Sequence, residues 1–170
     1  FVRFCDAFNI PLLWISDCPA FLPAVEEESR GLIRHGARMI SANSEATVPQ
    51  ITVAVRKYWG GAGLAMPGFW LGGDMLATWP QMERGLMNPE AAATIIYKRE
   101  LSAITDETQR EKQRQLRIKE MGDRVTLLQA ESTPLYIDPR ETRPFLIKAF
   151  RTLANRKQEL PARKHENFRV

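Results

Sequence analysis

Apolar residues fall into an ordered series of patterns along this chain. Ile10-Pro11-Leu12-Leu13-Trp14-Ile15 is a continuous apolar run and reads as a buried strand. Asp17 to Ala24 holds two prolines and reads as a loop. From Val25 to Asn43 the pattern becomes helical. Glu26, Glu27 and Glu28 occupy its first turn, where the helix dipole favours acids, and Ile33, Ala37 and Ile40 share one face. Ile51, Val53 and Val55 alternate across Gln50 to Arg56 and predict a second strand. Gly60-Gly61-Ala62-Gly63 then makes a glycine-rich turn that opens a short helical stretch through Met66.

The second half is more helical. Leu71 to Trp79 and Gly85 to Met87 read as strand or loop. Asn88-Pro89 is a helix start, with Asn as N-cap and Pro at the first helical position, for a helix running to about Ser102. Thr105 to Met121 is charged on nearly every side, which predicts a solvated helical arm over 105–121 held by charge pairs. Asp138-Pro139-Arg140-Glu141 repeats the capping logic, and Leu146, Phe150 and Leu153 form an apolar stripe. Pro144 conflicts with a helix that begins at Pro139. The tail, 161–170, is basic and reads as irregular. Alternating elements early and helices late give an α/β pattern, read as one domain over 1–170.

Composition narrows the class. With 170 residues, 44% hydrophobic and 26% charged, the chain can bury a core. Its net charge of +4 is interleaved along the chain rather than gathered in a basic stripe, so no nucleic-acid partner is expected, while an anionic ligand is accommodated. Cys5 and Cys18 make neither a metal-ligand spacing nor a disulfide framework, so no metal is expected and a reducing, cytoplasmic compartment is the default. No apolar run is long enough to span a bilayer, so no membrane insertion is expected. The chain opens on Phe1 in apolar sequence, which predicts a piece of a longer protein.

The glycine turn is the local feature that bears most on chemistry. A helix starting there would present free N–H groups and a positive dipole end to a molecule approaching closely, as an oxyanion site requires. A plain tight turn accounts for the same residues, and pattern alone favours it.

Several longer stretches shift that balance. The "FVRFCDAFNI" run leads through "PLLWIS" to Asp17-Cys18-Pro19-Ala20-Phe21-Leu22-Pro23-Ala24, which is similar to a family segment ending Asp-Val-Pro-Gly-Phe-Leu-Pro-Gly. Ile33-Arg34-His35-Gly36-Ala37, Glu45-Ala46-Thr47-Val48-Pro49, Arg56-Lys57, the Trp79-Pro80 block, "IDPRETRPFLIKAFRTL" and "RKHENF" follow in the family's order. Together they resemble the carboxyltransferase (β) subunits of biotin-dependent acyl-CoA carboxylases, of the propionyl-CoA carboxylase β chain and methylmalonyl-CoA decarboxylase α chain type. The resemblance covers nearly this whole chain and about the last third of a full member.

It implies a crotonase-like (ClpP/crotonase) fold, here the C-terminal part of the carboxyltransferase domain. It implies that the backbone N–H groups of Gly61 and Ala62 hold the ureido oxygen of biotin, with Gly60 and Gly63 completing the biotin-side turn. Carboxybiotin would release carbon dioxide, the biotin anion would take the α-proton of a short-chain acyl-CoA such as propionyl-CoA, and the carbanion would attack carbon dioxide. The implied partners are a biotin carboxyl carrier or biotin carboxylase subunit and further copies of the chain, dimer-based and up to a hexamer. The implied location is cytoplasmic, or the mitochondrial matrix if an upstream transit peptide exists. The reverse reaction, a biotin-dependent decarboxylase, and a non-catalytic scaffold are the alternatives. The piece alone is expected to be inactive, and poorly stable or self-associating.

This chain departs from the family pattern in places. Gly63-Leu64 replace a common Tyr-Asp, and by resemblance Leu64 holds a position tied to acyl preference. Ala20 and Ala24 replace glycines, which would cost stability if those positions need positive φ. Ala130 to Pro134 replace an Arg-Gly-Tyr-Val-Asp stretch. His35 reads as a structural hydrogen-bonding residue, Glu83 as a structural pair rather than a crotonase-style acid, and Asp17 as a turn cap. Trp14, Trp59, Trp70 and Trp79 read as core or interface.

Overall fold

A computed structural model describes residues 1–22, 24–132 and 135–162. Pro23, Pro134 and the "RKHENF" stretch lie outside the described residues, as does most of the basic tail. The elements are α1 (Val2–Ala7), β1 (Leu12–Cys18), α2 (Val25–Ser29), α3 (Leu32–Glu45), β2 (Gln50–Trp59), α4 (Gly60–Ala65), β3 (Met75–Thr78), β4 (Glu83–Gly85), α5 (Pro89–Ile96), α6 (Lys98–Ala103), α7 (Glu107–Ser132) and α8 (Thr142–Thr152).

The long strand β2 organises the sheet. Its first half pairs β1 on one side and β3 on the other, and its last three residues pair β4, all in parallel. Flanked on both edges, β2 is buried on both faces: Gln50, Ile51, Thr52, Val53 and Ala54 are all essentially inaccessible. The alternation of Ile51, Val53 and Val55 therefore does not mark one wet face, because a central parallel strand is covered above and below. The continuous apolar run before it behaves in the opposite way. β1 starts later than Ile10, and only Leu12 and Ser16 are buried; Leu13 and Ile15 face outward. α1, which the pattern did not reveal, covers one face of β1 through Val2 and Cys5, packed with Leu12, Ala46 and Val48. Asp6 fastens it, accepting from the backbone N–H groups of Thr47 (2.6 Å) and Val48 (3.1 Å).

The helix expected from Val25 to Asn43 is two helices. Gly31, at φ 88°, breaks them, a conformation that glycine adopts without steric cost. On α3 the buried residues are Gly36 and Asn43, while Ile33, Ala37 and Ile40 are exposed. The face that Ile33, Ala37 and Ile40 share is a surface face among the described residues. Asn88 caps α5 as expected, its side chain accepting from Ala91 N–H at 2.8 Å, but the helix breaks at Tyr97 before α6. The charged arm starts at Glu107 rather than Thr105 and extends past Met121 to Ser132. Arg117 holds it to α6, making three hydrogen bonds to Glu100 and lying 4.5 Å over the Tyr97 ring centroid. Asp138 caps a short 3-10 turn over Pro139–Glu141, and α8 begins after it, so Pro144 falls in the first turn of α8 where no helical N–H is needed.

Candidate functional site

β2 runs without a loop into α4, so the helix start is set by the central strand of the sheet. Gly60 makes the junction at φ 56°, and a Cβ there would stand 2.8 Å from the Leu86 carbonyl oxygen. Both facts demand glycine. Gly61 and Ala62 follow as the second and third residues of α4, whose first N–H groups have no intrahelical acceptor. No side chain caps this helix, and neither N–H donates to another element among the described residues. Gly61 is exposed and Ala62 buried. A Cβ on Gly61 would meet only the Phe21 ring, at an ordinary 3.7 Å. The outer side of Gly61 is thus open to an approaching molecule, with Phe21 as its rim. Gly63 is different: a Cβ there would stand 2.9 Å from the Tyr58 backbone, so glycine lets α4 pack onto the strand that precedes it.

The other end of α4 is held by side chains. The carbonyls of four consecutive residues each accept one bond. Trp70 Nε1 donates to Leu64 at 2.8 Å, Asn43 Nδ2 to Ala65 at 2.9 Å, Tyr58 OH to Met66 at 3.2 Å, and Thr52 Oγ1 to Pro67. Asn43 is itself tied to the sheet, its carbonyl accepting from Gln50 Nε2 at 2.8 Å. These donors come from α3, β2 and the 3-10 turn over Phe69–Leu71, so the position of α4 is fixed from three directions. Sequence reading missed this network, because buried Asn, Gln and Thr carry no periodic signal. Phe21 was missed as well, although it sat in a quoted motif; its ring spans Gly36 of α3 and Gly61 of α4.

Charges near the turn are structural. Asp17 is not a turn cap but the end of β1, where the strand register shifts. It pairs with Arg56 at 2.8 Å and accepts from the Lys57 N–H at 3.0 Å. The Arg56 guanidinium, then the Lys57 amide, hold its carboxyl below the usual range. Burial, then the Asp17 charge, push the Cys18 thiol up, and burial raises the Tyr58 hydroxyl strongly. Glu83 is exposed on β4 in register with Lys57, two positions back from the pairing of Gly85 with Trp59. His35 is exposed on α3. Ala24 is extended, and the only non-glycine residue at positive φ among those described is Asn9, so Ala20 and Ala24 carry no left-handed strain. Trp59 is buried against Gly85, and Trp79 donates to Thr142 Oγ1 at 2.9 Å. No cluster of His, Cys, Asp or Glu that could hold a metal occurs among the described residues. No helix among them is long and apolar enough to cross a membrane.

Comparison with known proteins gives a consistent picture. The carboxyl transferase domain family matches residues 1–168. A putative propionyl-CoA carboxylase beta chain of Bacillus subtilis (strain 168) is 41% identical over 170 residues, 99% of this chain and 33% of that protein. The methylmalonyl-CoA carboxyltransferase 12S subunit of Propionibacterium freudenreichii subsp. shermanii is 42% identical over 178 residues, 99% of this chain and 32% of that protein. A transcarboxylase 12S crystal structure, a hexamer with methylmalonyl-coenzyme A and methylmalonic acid bound, superposes with a TM-score of 0.87 at 42% identity, over 99% of this chain and 33% of that one. The α/β, crotonase-like fold expected from the resemblance is the fold found. The chain spans about a third of the length of the curated relatives it matches.

Proposed function

We propose, since this chain belongs to the carboxyl transferase domain family, that it supplies the biotin side of a carboxyltransferase site acting on an acyl-CoA. One observation carries the reading: α4 springs from the central strand with an uncapped N-terminus, and its second residue, Gly61, is exposed. The residues fit the group they would receive. Gly61 leaves room for a ring to approach, and the N–H groups of Gly61 and Ala62 supply two donors without needing a charged side chain. Biotin borne on a carrier protein would supply the carboxyl group and, once that group has left, a nitrogen base for the α-proton of the acyl-CoA. This chain's part is to hold negative charge on the ureido oxygen through those two N–H groups, with α4 kept in place by Asn43, Thr52, Tyr58 and Trp70. Glu83 is left without a chemical role.

The coenzyme A side would come from the rest of a longer chain or from a second copy, in a dimer-based assembly up to a hexamer. A biotin carboxyl carrier or biotin carboxylase subunit is the partner, and the assembly is cytoplasmic. The transfer is written here as carboxylation; running it backward uses the same two N–H groups.

The test uses the full-length protein with a carboxylated biotin carrier. Gly61→Val should abolish carboxyl transfer, because its branched side chain fills the approach beside Phe21. Loss of one oxyanion donor typically costs about 10²–10³ in rate, so a blocked approach should cost at least that. Glu83→Gln should change the rate little. If Glu83→Gln abolishes transfer while Gly61→Val leaves it intact, the assignment is wrong.

A further inference from the structure

Arg156 stands apart from the residues around it in the segment after α8. Asn155 and Lys157 are exposed, yet the Arg156 side chain is only 14% exposed. Every nitrogen of its guanidinium is engaged. Nε pairs with Asp74, whose side chain is 12% exposed. Nη1 donates to the Thr47 carbonyl at 2.7 Å, and Nη2 to the Gly72 carbonyl at 3.3 Å and to Gln158 Oε1. Thr47 lies just before β2 and Asp74 just before β3, so one side chain staples the segment after α8 to the starts of both strands. A planar fork of donors can serve several acceptors at once, which an ammonium on a flexible stem does not. Leu160 carries the same segment onward, lining a cleft with Asp6 and Ala7 of α1 and Ala42 and Glu45 of α3.

The contacts continue from Asp74 toward α4. The Asp74 carboxylate accepts from the Gln50 N–H at 2.8 Å, and the Asp74 N–H donates to the Gln50 carbonyl at 2.9 Å. The Gln50 side chain donates to the Asn43 carbonyl at 2.8 Å, and the Asn43 side chain to the Ala65 carbonyl at 2.9 Å. Gln50 and Asn43 are fully buried, so solvent offers these bonds no substitute. A continuous series of polar contacts thus runs from Arg156 to the last residue of α4, the helix whose first turn carries Gly61 and Ala62.

We propose that Arg156 is a positioning residue for carboxyl transfer: through Asp74, Gln50 and Asn43 it sets where α4 sits, and so where the Gly61 and Ala62 N–H groups point. The inference rests on the carboxyltransferase reading above and adds to it a residue at the opposite end of the sheet from the glycine turn. Arg156 acts on the donors only through its partners, by contiguous contacts of the kind that carry coupling between distant positions.

The experiment uses the full-length protein with a carboxylated biotin carrier and propionyl-CoA. Arg156→Lys keeps a charge beside Asp74 but gives up the fork. It should lower kcat about tenfold, counted per folded molecule, and leave KM for propionyl-CoA within about twofold. A residue that only stabilised the fold would lower the folded fraction and leave kcat per folded molecule alone. Asn43→Ala cuts the last link before α4, so adding Arg156→Lys to it should lower kcat no further, whereas independent effects would multiply. If Arg156→Lys does not fold, Arg156→Gln combined with Asp74→Asn removes both charges together and is read the same way. An unchanged kcat in the folded variant, or losses that multiply, overturns the positioning role while Gly61→Val still abolishes transfer. Transfer that survives Gly61→Val overturns the carboxyltransferase reading beneath it as well.

Discussion

Asn43→Ala should loosen α4 without touching the face of the site. Asn43 is fully buried on α3, and its amide is the donor that reaches the Ala65 carbonyl. Alanine removes the donor and strands a buried acceptor, at about 1–3 kcal/mol. The truncation also leaves a small void, so the expected loss is about 2–3 kcal/mol. The Gln50 bond survives, because it ends on the Asn43 backbone carbonyl, so the strand itself should stay put. The effect should be local: hydrogen–deuterium exchange would show faster exchange at the C-terminal amides of α4, with β2 protection little changed. If α4 holds the oxyanion as proposed, transfer activity should fall with kcat affected more than KM, because a wandering α4 would misplace those donors. Equal protection of α4 in wild type and variant, or a stability loss under about 0.5 kcal/mol, would refute the claim that side chains at its C-terminal end hold this helix.

Other expectations follow from the same geometry. Gly60→Ala should destabilise by at least about 1–2 kcal/mol, since it forces alanine to positive φ and against the Leu86 carbonyl, whereas Gly61→Ala should fold normally; paired urea titrations distinguish the two positions. Asp17, Glu100, Glu111 and Asp138 all have carboxyls held below their ordinary range, chiefly by Arg56, Arg117, Gln115 and Arg140 in turn. A depressed folded pKa stabilises above the unfolded value of about 4 and is lost as pH falls through the folded value. Melting temperature should therefore hold steady from pH 7 to 5 and drop below about pH 4, and a protein more stable at pH 3 than at pH 6 would contradict this. Cys18, its thiol raised by burial, should react with a neutral-pH thiol reagent more slowly than free cysteine, as a timed alkylation would show.

The elements that sequence made legible are those set by local chemistry. The glycine run, the Asn88 and Asp138 caps and the charged arm each appear near their expected places, because caps and turns act over a few residues. What sequence misassigned depends on neighbours. Which faces of β1 and β2 are wet follows from which strands flank them. The break at Gly31 required knowing that its φ is positive, which glycine permits but does not announce.

The candidate site divides along the same line. Gly60 to Gly63 were visible as a cluster, yet the cluster hides separate duties. Gly60 satisfies backbone geometry, Gly63 lets α4 approach Tyr58, and Gly61 alone is left open to an incoming molecule. The position that departs from the common family pattern by becoming glycine, Gly63, is thus explained by packing: with this backbone a larger residue would collide with the Tyr58 carbonyl. Its neighbour Leu64 has no such constraint, because its side chain faces outward. A substitution pair that reads in sequence as one lost motif is, in the fold, one change in how the helix seats and one change on its exposed face. If the two are independent, Leu64 can be varied without moving α4, so Leu64→Ala should leave the urea midpoint nearly unchanged where Gly63→Ala lowers it.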